Sequence, residues 1–110
     1  LKTLLHSPEN SAIPMTLFGT GLHIRRISAF ELAEFEEQNG RLRDGGDSRS
    51  LAILSAGLVL SAIVDESGKP VQNLPAPEEL IKAHSPAALV NALTTVQRHS
   101  YGTLEEAKKN

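Results

Sequence analysis

The chain has 110 residues, with 11 Lys and Arg against 13 Asp and Glu, for a formal net charge of −2 at pH 7. That length fits one domain with a modest core, since such a chain buries only roughly 60–70% of its unfolded surface. The lack of cysteine removes disulfides, thiol catalysis and Cys-based zinc sites, and the slightly acidic balance argues against a general nucleic-acid binder.

The segment from Leu1 to His6 sets Leu1, Leu4 and Leu5 ahead of a break at Ser7-Pro8-Glu9-Asn10. It reads as a short helical turn or apolar arm, with residues 1–13 distinct from a globular domain over 14–102. Gly19-Thr20-Gly21, between two extended stretches, predicts a hairpin turn, because glycine tolerates the positive φ such turns need. Ser28-Ala29-Phe30-Glu31 is a capping box that opens a helix with Leu32, Phe35 and Leu42 on one face. Asp44-Gly45-Gly46-Asp47 stops that helix, and Asp47 or Ser48 caps another through Leu51, Leu54 and Ala56.

Leu51 to Val64 is apolar on nearly all sides, so periodicity does not decide between helix and strand there. Gly57 is the expected break, with a buried strand over Leu58 to Val64 favoured by Val59, Ile63 and Val64. Asp65-Glu66-Ser67-Gly68 then turns the chain into a returning strand from Lys69-Pro70. Pro77 places a short helix over 78–84, and Ser85-Pro86 starts the next. There Leu89, Leu93 and Val96 share a face, Asn91, Thr95 and Arg98 point away, and Gly102 ends the run. Thr103-Leu104-Glu105-Glu106 is a second capping box, opening a short tail helix over 103–110. The expected fold is α+β, a mostly helical small single domain of about four or five helices with a small antiparallel β-hairpin or sheet.

Chemistry-bearing patterns are absent. His6, His23, His84 and His99 share no metal-ligand spacing, and no serine sits in a nucleophile elbow. Asp44-Gly-Gly-Asp47 lacks the spaced ligands of a calcium loop, and Gly19-Thr-Gly21 lacks the Lys of a phosphate loop. Glu34, Glu36 and Glu37 spread around a helix rather than converge. The expectation is therefore no enzyme, no cofactor and no metal. The longest apolar run falls short of the roughly 20 residues of a membrane helix, and no secretory leader is visible, so a soluble intracellular protein is expected.

Interaction remains, with Leu1, Leu4, Leu5, Arg25, Arg26, Phe30, Arg41 and Arg43 as the candidate surface. The small faces of Ala87, Ala88 and Ala92 serve either association or the monomer's own packing. Arg25, Arg26, Arg41, Arg43 and Arg49 also allow a second reading, a small regulatory or nucleic-acid-associated module. Glu31, Glu34, Glu36, Glu37, Asp44 and Asp47 are interleaved with them, which marks a solvated surface more than a phosphate-tracking stripe.

Ser61-Ala-Ile-Val-Asp-Glu-Ser-Gly-Lys-Pro-Val71 resembles a "V-x-DEDGKPLF" segment of tail assembly chaperones from long-tailed bacteriophages. Ile24-Arg-Arg-Ile-Ser-Ala-Phe-Glu-Leu32, Ser85 to Val96 and Thr103-Leu-Glu-Glu-Ala-Lys-Lys-Asn110 are similar to further pieces of that family, in matching order. Gln72-Asn73 and His99-Ser100-Tyr101-Gly102 depart from its pattern. The resemblance implies a non-catalytic protein that coats the long, mostly helical tape-measure protein and keeps it soluble. It also implies that tail-tube subunits polymerise around the coated rod, and that the protein is absent from the finished virion. Implied partners are the tape-measure protein, further copies of the chain in an open array, and the tail-tube protein through a frameshifted longer form. The implied location is the host bacterial cytoplasm. A structural tail-completion protein is a third reading.

Overall fold

Short-range capping sets where the helices begin. The computed structural model describes residues 1–7 and 9–102. These form α1 (Lys2–His6), β1 (Ile13–Leu17), β2 (Thr20–Ile24), α2 (Ala29–Asp44), α3 (Ser48–Ala62), β3 (Ile63–Val64), α4 (Pro77–Ala83) and α5 (Pro86–Tyr101). Ser28 Oγ accepts from the Glu31 amide at 3.2 Å, Asp47 Oδ1 from Ser50 at 3.0 Å and Ser85 Oγ from Ala88 at 3.2 Å. Each occupies an amide that a first helical turn leaves without an intrahelical partner. α4 opens on Pro77 instead, and the Glu79 carboxylate reaches back to the Ala76 amide at 3.0 Å. The result is an α+β domain. The capping box at Thr103–Glu106 lies outside the described residues.

The strands form one antiparallel sheet in the order β1-β2-β3. Leu17 pairs with Thr20, so the β1–β2 turn is the two residues Phe18 and Gly19, with φ of 53° and 73°. This corrects the expected turn centre at Gly19-Thr20-Gly21 by one residue. An aromatic residue at positive φ is strained, and packing offsets it. The Phe18 ring lies against the His84 imidazole at 4.4 Å between centroids and packs on both core clusters.

The larger correction concerns Leu58 to Val64. α3 passes through Gly57 and continues to Ala62, leaving only Ile63 and Val64 extended. α3 packs against α2, α4 and α5, and these neighbours cover the apolar sides that made the stretch look like a buried strand. β-Branched residues suit any such buried surface, so Val59 does not exclude a helix. The returning strand also shrinks, to a single bridge between Val64 and Pro70. The intervening turn is held by Asp65, whose Oδ1 accepts from the Ser67 hydroxyl at 2.6 Å, the Ser67 amide at 2.9 Å and the Lys69 amide at 3.0 Å. The Ser67 hydroxyl bond is the main reason the Asp65 carboxyl titrates below its usual range.

A Cβ added at Gly57 would lie 3.9 Å from Pro77 Cγ on α4, an ordinary contact. Gly57→Ala is therefore expected to stabilise the domain by about 0.5–1 kcal/mol through helix propensity. Urea unfolding checks this, as a raised midpoint with an unchanged slope. A lowered midpoint would mean that Gly57 is not at an ordinary helical position.

Two apolar clusters fill the interior. Leu17, Ile24, Ile27, Leu32, Phe35, Leu58, Val59, Ala62, Ala92 and Val96 join the sheet to α2, α3 and α5. Ala56, Leu60, Ile63 and Leu80 lie under α4. Ile24, Val59 and Val96 are the largest fully buried side chains.

Candidate interaction surface

The structure separates the eight predicted surface residues into two kinds. Leu1, Leu4, Leu5 and Phe30 are apolar and open, at 88%, 76%, 77% and 74% exposure. α1 carries Leu4 and Leu5, with Leu1 at its N-cap, and buries none of its own residues. Phe30 stands in the first turn of α2, where the capping box orients Leu32 and Phe35 inward and leaves Phe30 outside.

The arginines are placed differently from one another. Arg25 follows β2 and is largely engaged by the protein itself. Its Nε donates to the Ser61 carbonyl at 3.1 Å, and its Nη1 and Nη2 donate to the two Glu31 carboxylate oxygens at 3.2 and 3.0 Å. The planar fork thus ties the end of β2 to the start of α2 and the end of α3. Arg25 is the main cause of the lowered titration of the Glu31 carboxyl. Arg26 Nε donates to the His99 carbonyl at 2.9 Å, and its amide donates to Ser11 Oγ at 2.8 Å. His99 Nε2 lies 2.8 Å from the Ser11 carbonyl, so the ends of α5 and β2 both hold the segment that leads to α1. Arg41 pairs with Glu37 one turn back on an exposed face of α2, and Arg43 is exposed in the last turn. Arg49 is exposed in the first turn of α3.

Beside Phe30 runs a groove of about 460 Å³ between α2 and α3. Its walls include Phe30, Phe35, Ile53, Leu54, Gly57 and Leu58, and its charged members are Glu31 and Glu34. Gly57 is one of its α3 lining residues. α3 has more apolar surface than its neighbours cover, so Ile53 and Leu54 stay half-buried. The α3 residues were not singled out from sequence. The available signal was that Leu51 to Val64 is apolar on every side, more than one packed face requires. A smaller apolar groove, about 260 Å³, lies where α3 meets α4 and α5, lined in part by Leu51, Ile81, Leu89 and the exposed Val90.

Phe30→Ser is expected to change stability by no more than about 0.5 kcal/mol, as for other exposed positions away from packed features. Thermal unfolding checks this. A loss of more than about 2 kcal/mol would place Phe30 in the core. No group of three or more His, Asp or Glu suited to a metal ion occurs among the described residues. Nor is any described helix long and apolar enough to cross a membrane.

What the surface offers is apolar, shallow and poor in convergent polar groups, as a protein-docking face is. A family model described as "Phage tail assembly chaperone protein, TAC" matches residues 1–110. The chain belongs to this family of phage tail assembly chaperones. No curated protein and no solved structure matches it.

Proposed function

We propose that the chain is a non-catalytic chaperone that binds the phage tape-measure protein and keeps it soluble until tail-tube subunits polymerise around it. One observation carries the reading: open apolar side chains on α1 and α2 lie on the same small domain as an apolar groove between α2 and α3. A long amphipathic helical partner exposes an apolar stripe before assembly, and groove docking is a common way to cover such a stripe. Many weak contacts repeated along a rod shield it and remain reversible. Coverage of this kind takes several copies, so the chain self-associates head to tail, through a heterologous interface that need not close. It then leaves, and the finished virion lacks it. A longer frameshifted form would bring in the tail-tube protein.

Bacterial co-expression tests the reading. The tape-measure protein is expected in the soluble fraction with this chain and in inclusion bodies without it, and the two should co-purify. Mass spectrometry of purified particles is expected to find none of the chain. An insoluble tape-measure protein despite abundant soluble chain would contradict the proposal, and stoichiometric presence in virions would favour a tail-completion protein. The arginine-based nucleic-acid reading receives less support, because Arg25 and Arg26 bond to protein groups and Arg41 pairs with Glu37. Salt-dependent binding to DNA or RNA would revive it.

A further inference from the structure

We infer that the α2/α3 groove of one copy receives α1 of a second copy. The inference rests on the self-association proposed above and assigns its two surfaces. Leu1, Leu4 and Leu5 are spaced i, i+3, i+4, so on a helix they form one apolar ridge, and they are among the most exposed large apolar side chains described. None of the described residues buries them, since α1 has no buried residue. The groove is the complementary shape, with Phe30 standing open at its rim and Leu54 and Leu58 along its α3 wall.

Charge agrees with shape. From Leu1 to Ser7 the only side chains able to carry charge are Lys2 and His6, both basic. The charged groups lining the groove are both carboxylates. Glu31 is held by Arg25, whereas Glu34 makes no ion pair among the described residues. A Lys2–Glu34 contact would therefore add an attraction without displacing an existing one. Like-signed arms would repel each other, and so would like-signed grooves, so arm-to-groove contact is favoured over arm-to-arm or groove-to-groove. Ridge and groove are different surfaces of one chain, so after pairing one copy retains an unused groove and the other an unused ridge. Such a contact propagates unless its rotation closes a ring.

The test uses the full chain and two surface variants, Leu4→Asp/Leu5→Asp and Phe30→Ser/Glu34→Lys, in sedimentation velocity over a concentration series. Wild type is expected to grow in mass with concentration, and each variant to associate at least tenfold more weakly. The equimolar mixture is the discriminating arm. The intact ridge of one variant meets the intact groove of the other, so a complex of one copy of each is expected that does not grow further. Recovery on mixing also shows that both variants fold. Variants that assemble like wild type would overturn the inference and leave self-association standing. A mixture no more associated than its components would also overturn it. A wild type that stays monomeric at every concentration would remove the self-association proposal, and this inference with it.

Discussion

Val59→Asp is expected to abolish cooperative unfolding and most of the helical circular-dichroism signal at 25 °C. Val59 is fully buried in the last turn of α3, in a cluster whose other buried members are all apolar. A carboxylate placed there must remain charged without a partner or take up a proton, and burial of an uncompensated charge costs several kcal/mol by either route. Domains of this size have only about 5–15 kcal/mol in total, so the substitution removes most or all of it. Val90→Asp on α5 is the control. Val90 is 58% exposed, and a change within about 0.5 kcal/mol is expected. A Val59→Asp domain that melts cooperatively near the wild-type temperature would show that α3 is not the buried centre of the fold.

The second large effect is expected at Arg25. Arg25→Ala removes the bond to the Ser61 carbonyl and both bonds to Glu31, and a loss of about 1–3 kcal/mol follows from charge-assisted bonds at a half-exposed site. Arg25→Lys is expected to recover less than half, because an ammonium does not present the planar fork. Arg41→Ala, which removes an exposed pair with Glu37, is expected to change stability by less than about 0.5 kcal/mol. Urea midpoints of the three variants order these effects, and equal losses at Arg25 and Arg41 would contradict the assignment of Arg25 as a clamp.

The same pair predicts a pH dependence. Glu31 titrates below its ordinary value of 4.5 in the folded chain, chiefly because of the Arg25 side-chain bonds. A carboxyl lowered on folding contributes stability that is present above its unfolded value and is lost as the pH falls through the folded one. Wild type should therefore lose urea resistance below about pH 4.5 more steeply than Glu31→Gln. Parallel curves would show that the pair contributes nothing in solution.

These residues also mark what could be read from the chain before its structure was known. Ser28, Asp47, Pro77 and Ser85 act through partners no more than three residues away, so helix starts were legible locally. Gly57 was misread because a glycine inside an all-apolar run signals a break only when no other element covers it, and α2, α4 and α5 do. The turn moved to Phe18 because contact with His84, far along the chain, offsets a local penalty. Arg25 looked like a surface cation, since its partner carbonyl at Ser61 lies 36 residues away. The structure leaves Leu1, Leu4, Leu5 and Phe30, four of the residues singled out from the chain, exposed. The groove was not legible, because a groove belongs to two elements and neither half shows it alone.

The proposed coating role makes one quantitative claim, that many copies bind one tape-measure protein. Multi-angle light scattering of the co-purified complex tests it most directly. Several copies of this chain per partner are expected, in a number that falls in proportion when the partner's helical region is shortened. A single copy regardless of partner length, or no complex at all, would contradict it.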